Sequence, residues 1–339
     1  MSAALRLQAA WLRRGWLAWL LLPLSLLYRT AVLLRTACFS LGLIPVTRLP
    51  VPVVVVGNFV VGGAGKTPTA IALVHLLRAR GFTPGIVSRG YGRQSGETAI
   101  LERGTPARLA GDEALLMHLR TQAPVAVGAD RVAAGLALLQ AHTSVNVVIS
   151  DDGLQHRQLA RNAQVIVFDE RGCGNGWLLP AGPLREPAPR TVPPRSVVLY
   201  NAPTPSTALQ GHLASRRLGG VVALPDWWAG RPATPELLAE LQGRSVLAAA
   251  GLARPQRFFE MLRAQGLLIS ELALSDHHDF AVLPWPADTP DVVVTEKDAV
   301  KLRPEDMGAT RVWVATLDFE LSVAFASELM QWLPTTDHP

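Results

Sequence analysis

No acidic residue precedes Glu97 in this chain of 339 residues. Arg6, Arg13, Arg14, Arg29, Arg35, Arg48, Lys66, Arg78, Arg80, Arg89 and Arg93 all stand before it, although the net charge of the whole is only +5. A segment carrying one sign of charge suits an anionic surface or anionic substrates. Nucleic acid is not expected, because no nucleic-acid-binding motif is present and the basic residues are interleaved with aliphatic ones. Cysteine is scarce too: Cys38 and Cys173 are the only two and lie far apart. That excludes a disulfide framework and a cysteine-built zinc site, and it fits a reducing compartment. Internal repeats and low-complexity tracts are missing as well. A 49% hydrophobic content supplies a core for one large or two ordinary domains.

The stretch Val51–Thr69, VPVVVVGNFVVGGAGKTPT, reads as a buried strand, a glycine-rich loop and the start of a helix. The common phosphate-loop pattern has a glycine six residues before its lysine, and this chain has Val60 there. Its glycines are instead Gly62, Gly63 and Gly65, in a compact form with Ala64 between them. Glycines let backbone N–H groups converge on phosphate oxygens. Lys66 is placed to reach the β- and γ-phosphates of a nucleotide, and the Thr67 hydroxyl to hold Mg²⁺. Pro68 suits a first helical turn, whose dipole points at the same anion. ATP and Mg²⁺ are the expected cofactors.

Trp16–Tyr28, WLAWLLLPLSLLY, is too short to span a bilayer comfortably, and Arg29 and Arg35 interrupt the apolar run that follows. A central arginine costs about 2.5–3.5 kcal/mol on insertion scales. With Leu24–Leu43 helical, Ser25, Arg29, Thr36 and Ser40 fall on one narrow stripe. Pro23 is expected to kink or break the helix just before it. Residues 1–46 are therefore read as a membrane-associated helical hairpin or bent helix lying in the interface. A single span is the alternative. A cleaved signal peptide and a lipoprotein site at Cys38 are disfavoured, the first by the nucleotide site that follows and the second by Arg35.

Beyond the loop, helical spacing over Ala70–Arg80 leads to a strand at Pro84–Ser88 and a basic glycine-rich loop, Arg89–Arg93. A helix over Asp112–Arg120, a strand at Val125–Val127, a helix over Asp130–Gln140 and strands at Val145–Ser150 and Val165–Phe168 follow. Strands alternating with helices predict an α/β fold: a P-loop NTPase-like parallel sheet with helices on both faces, over residues 47–195. Leu179–Pro194 is rich in Pro and Arg and reads as loop. Val197–Tyr200, Val221–Leu224, Val246–Ala250 and Val292–Thr295 read as strands of a second, smaller α/β domain over residues 196–339.

Asp151 and Asp152 end a hydrophobic strand, where a carboxylate can bind Mg²⁺ or its water. Asp112 in AGDEALL sits at a helix start, where a cap and a catalytic carboxylate are both open readings. Asp276, His277, His278 and Asp279 form an acid–imidazole cluster, open to proton transfer or to a plain surface loop. Thr295–Asp298 is similar to a guanine-reading Thr-Lys-x-Asp pattern, but Lys297 and Asp298 are adjacent, which argues against GTP.

Taken together, GNFVVGGAGKTPT, SRGYGR, AGDEALL, ADR, SDDGLQH, LPAGPLREP, DHHDF and TEKDAVKL resemble the tetraacyldisaccharide 4′-kinase family of lipid A biosynthesis, from the amino-terminal segment to about Leu302. The resemblance implies a membrane-associated P-loop kinase on the cytoplasmic face of the bacterial inner membrane. It would transfer the ATP γ-phosphate to the 4′-hydroxyl of tetraacyldisaccharide 1-phosphate, a lipid A disaccharide, giving lipid IVA. It implies two α/β/α domains around a cleft, with Asp112 as general base and His277 as its partner. Lys66 would stabilise phosphate charge. Tyr91, Arg131, Gln155, His156, Arg185 and Glu186 lie in the remaining motifs as candidates for substrate or nucleotide contact. No protein partner is inferred. The rival from another class is a membrane-recruited P-loop ATPase switch. Such switches often carry a second lysine just before the glycines, and this chain has Val61.

Overall fold

The computed structural model describes residues 7, 10–102, 104–252, 254–276 and 278–334. Among the described residues, thirteen strands, β1 Val53–Gly57, β2 Pro84–Ser88, β3 Ala99–Ile100, β4 Val125–Val127, β5 Val147–Ser150, β6 Ala163–Asp169, β7 Ser196–Asn201, β8 His212–Leu213, β9 Ser215–Ala223, β10 Ser245–Ala250, β11 Leu268–Ala273, β12 Asp291–Thr295 and β13 Arg311–Glu320, form two sheets. The larger has the order β3-β4-β2-β5-β1-β6-β7-β8 and is parallel except for β3 against β4. The smaller has the order β11-β10-β12-β13-β9 and is parallel except for β9 against β13.

Five consecutive buried positions in β1, VVVVG, need cover on both faces, which a central parallel strand receives from helices. β5 pairs on one side of β1 and β6 on the other. The chain therefore switches direction across the sheet at β1, and such a crevice at the carboxyl ends of parallel strands is where ligands bind. The phosphate-loop helix Lys66–Arg78 runs back from β1. One hydrophobic cluster takes in Leu73, Val74 and Leu77 of that helix, Leu115 and Met117 of helix Asp112–Thr121, and Val292, Val294, Val312 and Val314 of the second sheet. Both sheets thus share apolar cover along one side of the cleft.

Two expectations need correction. Ser196–Asn201, expected to open the second unit at Val197–Tyr200, pairs in parallel with β6 and extends the first sheet. Its run SVVLYN is buried almost throughout, and either sheet offers an apolar face, so periodicity could not choose between them. The amino-terminal segment is one helix, Trp16–Ser40, with Pro23 inside it rather than at a break. Proline there removes the donor that would reach the Trp19 carbonyl, but docking of the helix supplies the cohesion lost. The chain past Leu302, to which the resemblance did not extend, adds β13 and the helix Val323–Met330.

One stripe of the long helix docks on the first domain: Ala18 and Ser25 are buried, and Leu21, Leu22, Tyr28, Val32, Thr36 and Phe39 are partly so. Ser25 Oγ donates to the Leu178 carbonyl at 2.8 Å, and Tyr28 Oη to that of Arg185 at 2.8 Å. Trp16, Trp19, Leu20, Leu24, Leu27, Leu33 and Leu34 remain exposed. By length and apolar composition the helix could cross a bilayer.

Candidate active site

The carboxyl ends of β1, β2, β5, β6 and β7 open onto one cleft of about 1570 Å³, closed on the far side by the second sheet. Gly62, Gly63, Gly65, Lys66, Thr67 and Pro68 line it; Ala64 is buried beneath. Gly65 caps the helix at φ +95° and Gly62 lies at φ +96°, a left-handed region that only glycine enters without strain. Asn201 at the end of β7 fills the space a Cβ on Gly65 would need, and its Nδ2 donates to the Ala64 carbonyl at 3.2 Å. The strand that joined the first sheet unexpectedly therefore buttresses the phosphate loop.

Arg171 is the second buttress. Its Nε donates to both oxygens of Asp169, at 3.1 and 2.8 Å, while Nη1 and Nη2 donate to the Val61 and Gly63 carbonyls at 3.3 and 3.2 Å. These bonds occupy two loop carbonyls and brace the loop, whose N–H groups suit an anion. Neither Arg171 nor Asn201 was singled out from sequence, because loop-bracing residues follow no local spacing.

Lys66 Nζ donates to Asn58 Oδ1 at 3.2 Å and lies 3.5 Å from Asp152 Oδ1. Arg185 pairs with the same carboxylate at 2.9 Å and also donates to Gln155 Oε1 at 3.2 Å. Burial acts to raise the Asp152 carboxyl, but the Lys66 and Arg185 charges outweigh it and hold it below the usual range. Gln155 Nε2 reaches Glu186 Oε1 at 3.1 Å, and Arg157 holds the other Glu186 oxygen at 2.9 Å. Three of the expected contact residues, Arg185, Gln155 and Glu186, thus form one hydrogen-bonded chain on the rim beside the long helix.

Asp151 differs from its neighbour. Ser88 Oγ donates to its Oδ2 at 3.2 Å, and its buried Oδ1 has no hydrogen-bond partner. Burial, reinforced by Asp152, pushes its carboxyl up to about 6. Arg131, whose buried guanidinium donates to the Gly128 carbonyl at 2.7 Å, has an unpartnered Nε, and burial lowers its pKa. His156 Nε2 is likewise buried without a partner, and burial lowers its pKa. Tyr91 is exposed at the mouth. Three residues that line one cleft thus each carry an unsatisfied buried polar atom, as expected where a ligand completes the bonding.

Because folding raises the Asp151 carboxyl, the native state takes up a proton between about pH 4 and 6, and stability falls as pH rises through that window. We expect Asp151→Asn, without divalent cation, to melt higher than the parent protein above pH 6, by the equivalent of about 3 kcal/mol, and the gap to vanish below about pH 4. Thermal melts across pH check this; a parent protein more stable than the variant at pH 7 would contradict it.

Asp112 is the first residue of its helix and Gly111 occupies the cap position, so the capping role is not the one it takes. Its carboxylate is paired with Lys301 Nζ at 3.2 Å, just behind Glu113, which lines the cleft. Gly90 packs directly on Gly111, which brings the SRGYGR loop against the start of this helix. From the second sheet, Lys297 pairs with Glu113 at 3.6 Å and with Asp276 at 3.2 Å. These lysines of TEKDAVKL received no role from sequence. His277 lies outside the described residues. Among the described residues no group of three or more His, Cys, Asp or Glu could hold a metal ion by itself.

A family model described as tetraacyldisaccharide-1-P 4′-kinase matches residues 17–334. A protein of Leptothrix cholodnii named tetraacyldisaccharide 4′-kinase is 55% identical over 335 residues, covering 98% of this chain and 96% of that one. One of Methylibium petroleiphilum with the same name is 56% identical over 325 residues, covering 94% and 90%. A crystal structure of LpxK from Aquifex aeolicus in complex with ATP superposes with a TM-score of 0.77 at 27% identity, covering 94% of this chain and all of that one.

Proposed function

The chain belongs to the tetraacyldisaccharide-1-P 4′-kinase family, and on that premise we propose that this cleft transfers the γ-phosphate of ATP to the 4′-hydroxyl of a tetraacyldisaccharide 1-phosphate. The observation that carries the reading is the meeting of a braced phosphate loop with Lys66, Asp151 and Asp152 on one wall and, on another, Glu113 at the start of the helix whose first residue is Asp112. Backbone N–H groups of Gly62–Thr67 and the Lys66 ammonium hold the nucleotide phosphates and the charge that develops on them. Asp112, with His277 as its partner, accepts the proton of the sugar hydroxyl, a poor nucleophile until that proton has somewhere to go.

The donor set fits Mg²⁺ brought in with ATP, which takes one or two carboxylates and completes its shell with phosphate and water. Thr67 and Asp151 would hold it, since the free Asp151 oxygen is a hard ligand without another partner, whereas Asp152 is engaged by Lys66 and Arg185. Held by these residues, the ion would supply charge neutralisation to the phosphates. Arg131 and His156, each with an unsatisfied buried nitrogen, suit the anionic and hydroxyl groups of the disaccharide headgroup. Tyr91, Gln155, Arg185 and Glu186 complete that rim.

The rim lies against the long helix, whose exposed face is leucine and tryptophan beside basic residues. This supports a helix lying along the cytoplasmic surface of the inner membrane, where its acyl-chained substrate resides. A spanning helix would have to shed the bonds from Ser25 and Tyr28, which dock it along the domain. The ATPase-switch alternative is not favoured, since the match to the kinase family runs through both sheets. Labelled ATP, Mg²⁺ and the disaccharide lipid, scored for phosphorylated lipid, test the assignment; ATP hydrolysis without lipid phosphorylation would overturn it.

Leu20, Leu27 and Leu34 share the exposed stripe at seven-residue spacing, between 62 and 68% exposed. We expect Leu20→Glu/Leu27→Glu/Leu34→Glu to abolish sedimentation with anionic vesicles and to raise KM for lipid, leaving ATP affinity intact. Unchanged vesicle binding would show that another surface carries the attachment.

A further inference from the structure

Lys301 joins segments that nothing in the chain's order would bring together. It follows helix Glu296–Ala299, one turn beyond Lys297, so the two ammonium groups project from the same side toward helix Asp112–Thr121. Lys297 takes the outer position with Glu113 and Asp276. Lys301 takes the inner one. Its Nζ lies 3.2 Å from Asp112 Oδ2, donates to the His278 carbonyl at 3.0 Å, and sits 5.8 Å from the centre of the Phe280 ring. Asp298 Oδ1 is the more distant partner at 3.9 Å. The Lys301 side chain is only 7% exposed.

A buried ammonium is costly unless paired. Two carboxylates compete for this one. Asp298 Oδ2 is occupied, accepting from Thr295 Oγ1 at 2.7 Å and from the Gly251 N–H at 3.0 Å, and its Oδ1, without a hydrogen-bond partner, stands 3.9 Å from the ammonium, farther than Asp112 Oδ2 at 3.2 Å. Burial also pushes the Asp298 carboxyl up, toward its neutral form. The charge of Lys301 is therefore directed at Asp112.

We propose that Lys301 is a positioning residue for phosphoryl transfer: it keeps the Asp112 carboxylate ionised and aimed, and fastens it to the segment that carries His277. The inference rests on reading Asp112 as the general base. An ammonium at this distance lowers base strength but keeps the base unprotonated at neutral pH, where a sugar hydroxyl must give up its proton. Other charged groups on the elements packed around Asp112 are Glu113 on its own helix, Lys297 and Asp298 on the TEKDAVKL segment, Asp276 and His278 before it, and Arg89 and Arg93 of the basic loop. Lys301 is the cation paired directly with Asp112 among the described ion pairs.

The experiment compares the full-length parent protein, Lys301→Met, Lys301→Arg and Asp112→Asn in kcat/KM for the disaccharide lipid from pH 5.5 to 9.5, with ATP affinity and thermal melts on each. In Lys301→Met the acid limb should move to higher pH by about 1–3 units, so that the rate falls most at the acid end of the range and recovers as pH rises. Lys301→Arg should return the limb toward its parent position. ATP affinity should hold. A limb that stays in place while the rate falls equally at every pH would overturn the inference and leave Lys301 a packing residue. If Asp112→Asn retains the parent rate, the general-base reading itself falls. If Asp112→Asn is disabled and the limb in Lys301→Met is unmoved, only the Lys301 inference falls. Should Lys301→Met melt below the assay temperature, Lys301→Met/Asp298→Asn, which also removes the facing buried carboxylate, is read in its place with the same outcomes.

Discussion

Lys66→Ala is expected to lower lipid phosphorylation by about 10²–10³ or more and to leave the fold intact. The magnitude is that of removing a preorganised donor aimed at charge that develops in the transition state. The fold survives because the lysine has few structural duties. Asp152 keeps its pairing with Arg185 at 2.9 Å when Lys66 is gone. Asn58 also retains its Nδ2 bond to the Gly62 carbonyl at 3.3 Å. The loop itself is braced by Arg171 and Asn201 rather than by the lysine. Single-turnover rates, ATP titration and a thermal melt on the same preparation check the result. Near-normal turnover by the variant would sink the kinase assignment to this loop. A large drop in melting temperature would instead show that Lys66 holds the Asp151–Asp152 turn together.

The second large effect belongs to Asp112 and His277, taken as one proton-accepting unit. Each of Asp112→Asn and His277→Ala should lower the chemical step by about 10²–10⁴, the usual value of general-base assistance. The double variant should be little slower than the worse single one, since groups that act as a unit are strongly non-additive. ATP affinity should barely change, because Lys66, Thr67 and Asp151 remain. Multiplying losses in the double variant would show that the two act independently. Asp112→Asn also leaves the mostly buried Lys301 ammonium with the His278 carbonyl and the more distant Asp298. Some loss of stability is therefore expected, and melts must accompany the rates.

Much of the first sheet was legible in the chain. Runs such as VVVVG and VVIS are continuous and apolar because both faces of a parallel strand are covered, and each leads into residues that line the cleft. The phosphate loop was legible for a related reason. Glycine, lysine and threonine act there through backbone freedom and side-chain chemistry that local spacing alone provides. Asp151 and Asp152 were legible as a pair, but not their division of labour. That division depends on which carboxylate Arg185, distant in the chain, reaches. Pro23 was misread because its local cost was visible, while the docking that offsets it, through Ser25 and Tyr28, was not.

By itself the sequence determined what is local: the strand–loop–helix that receives phosphate, the run of strand-ending carboxylates, the apolar amino-terminal helix and the motifs that mark the family. Tertiary structure alone decided that Ser196–Asn201 extends the first sheet and sets Asn201 under Gly65. It also decided that Arg171 braces the loop, and that Lys301 from beyond the second sheet's β12 lies against Asp112. The physical reason is the range of the forces involved. Backbone preference and hydrophobic periodicity act over a few residues and leave their mark in spacing. Ion pairs and braces join side chains from distant segments, and become specific only when a shared apolar core has fixed both sheets around one cleft.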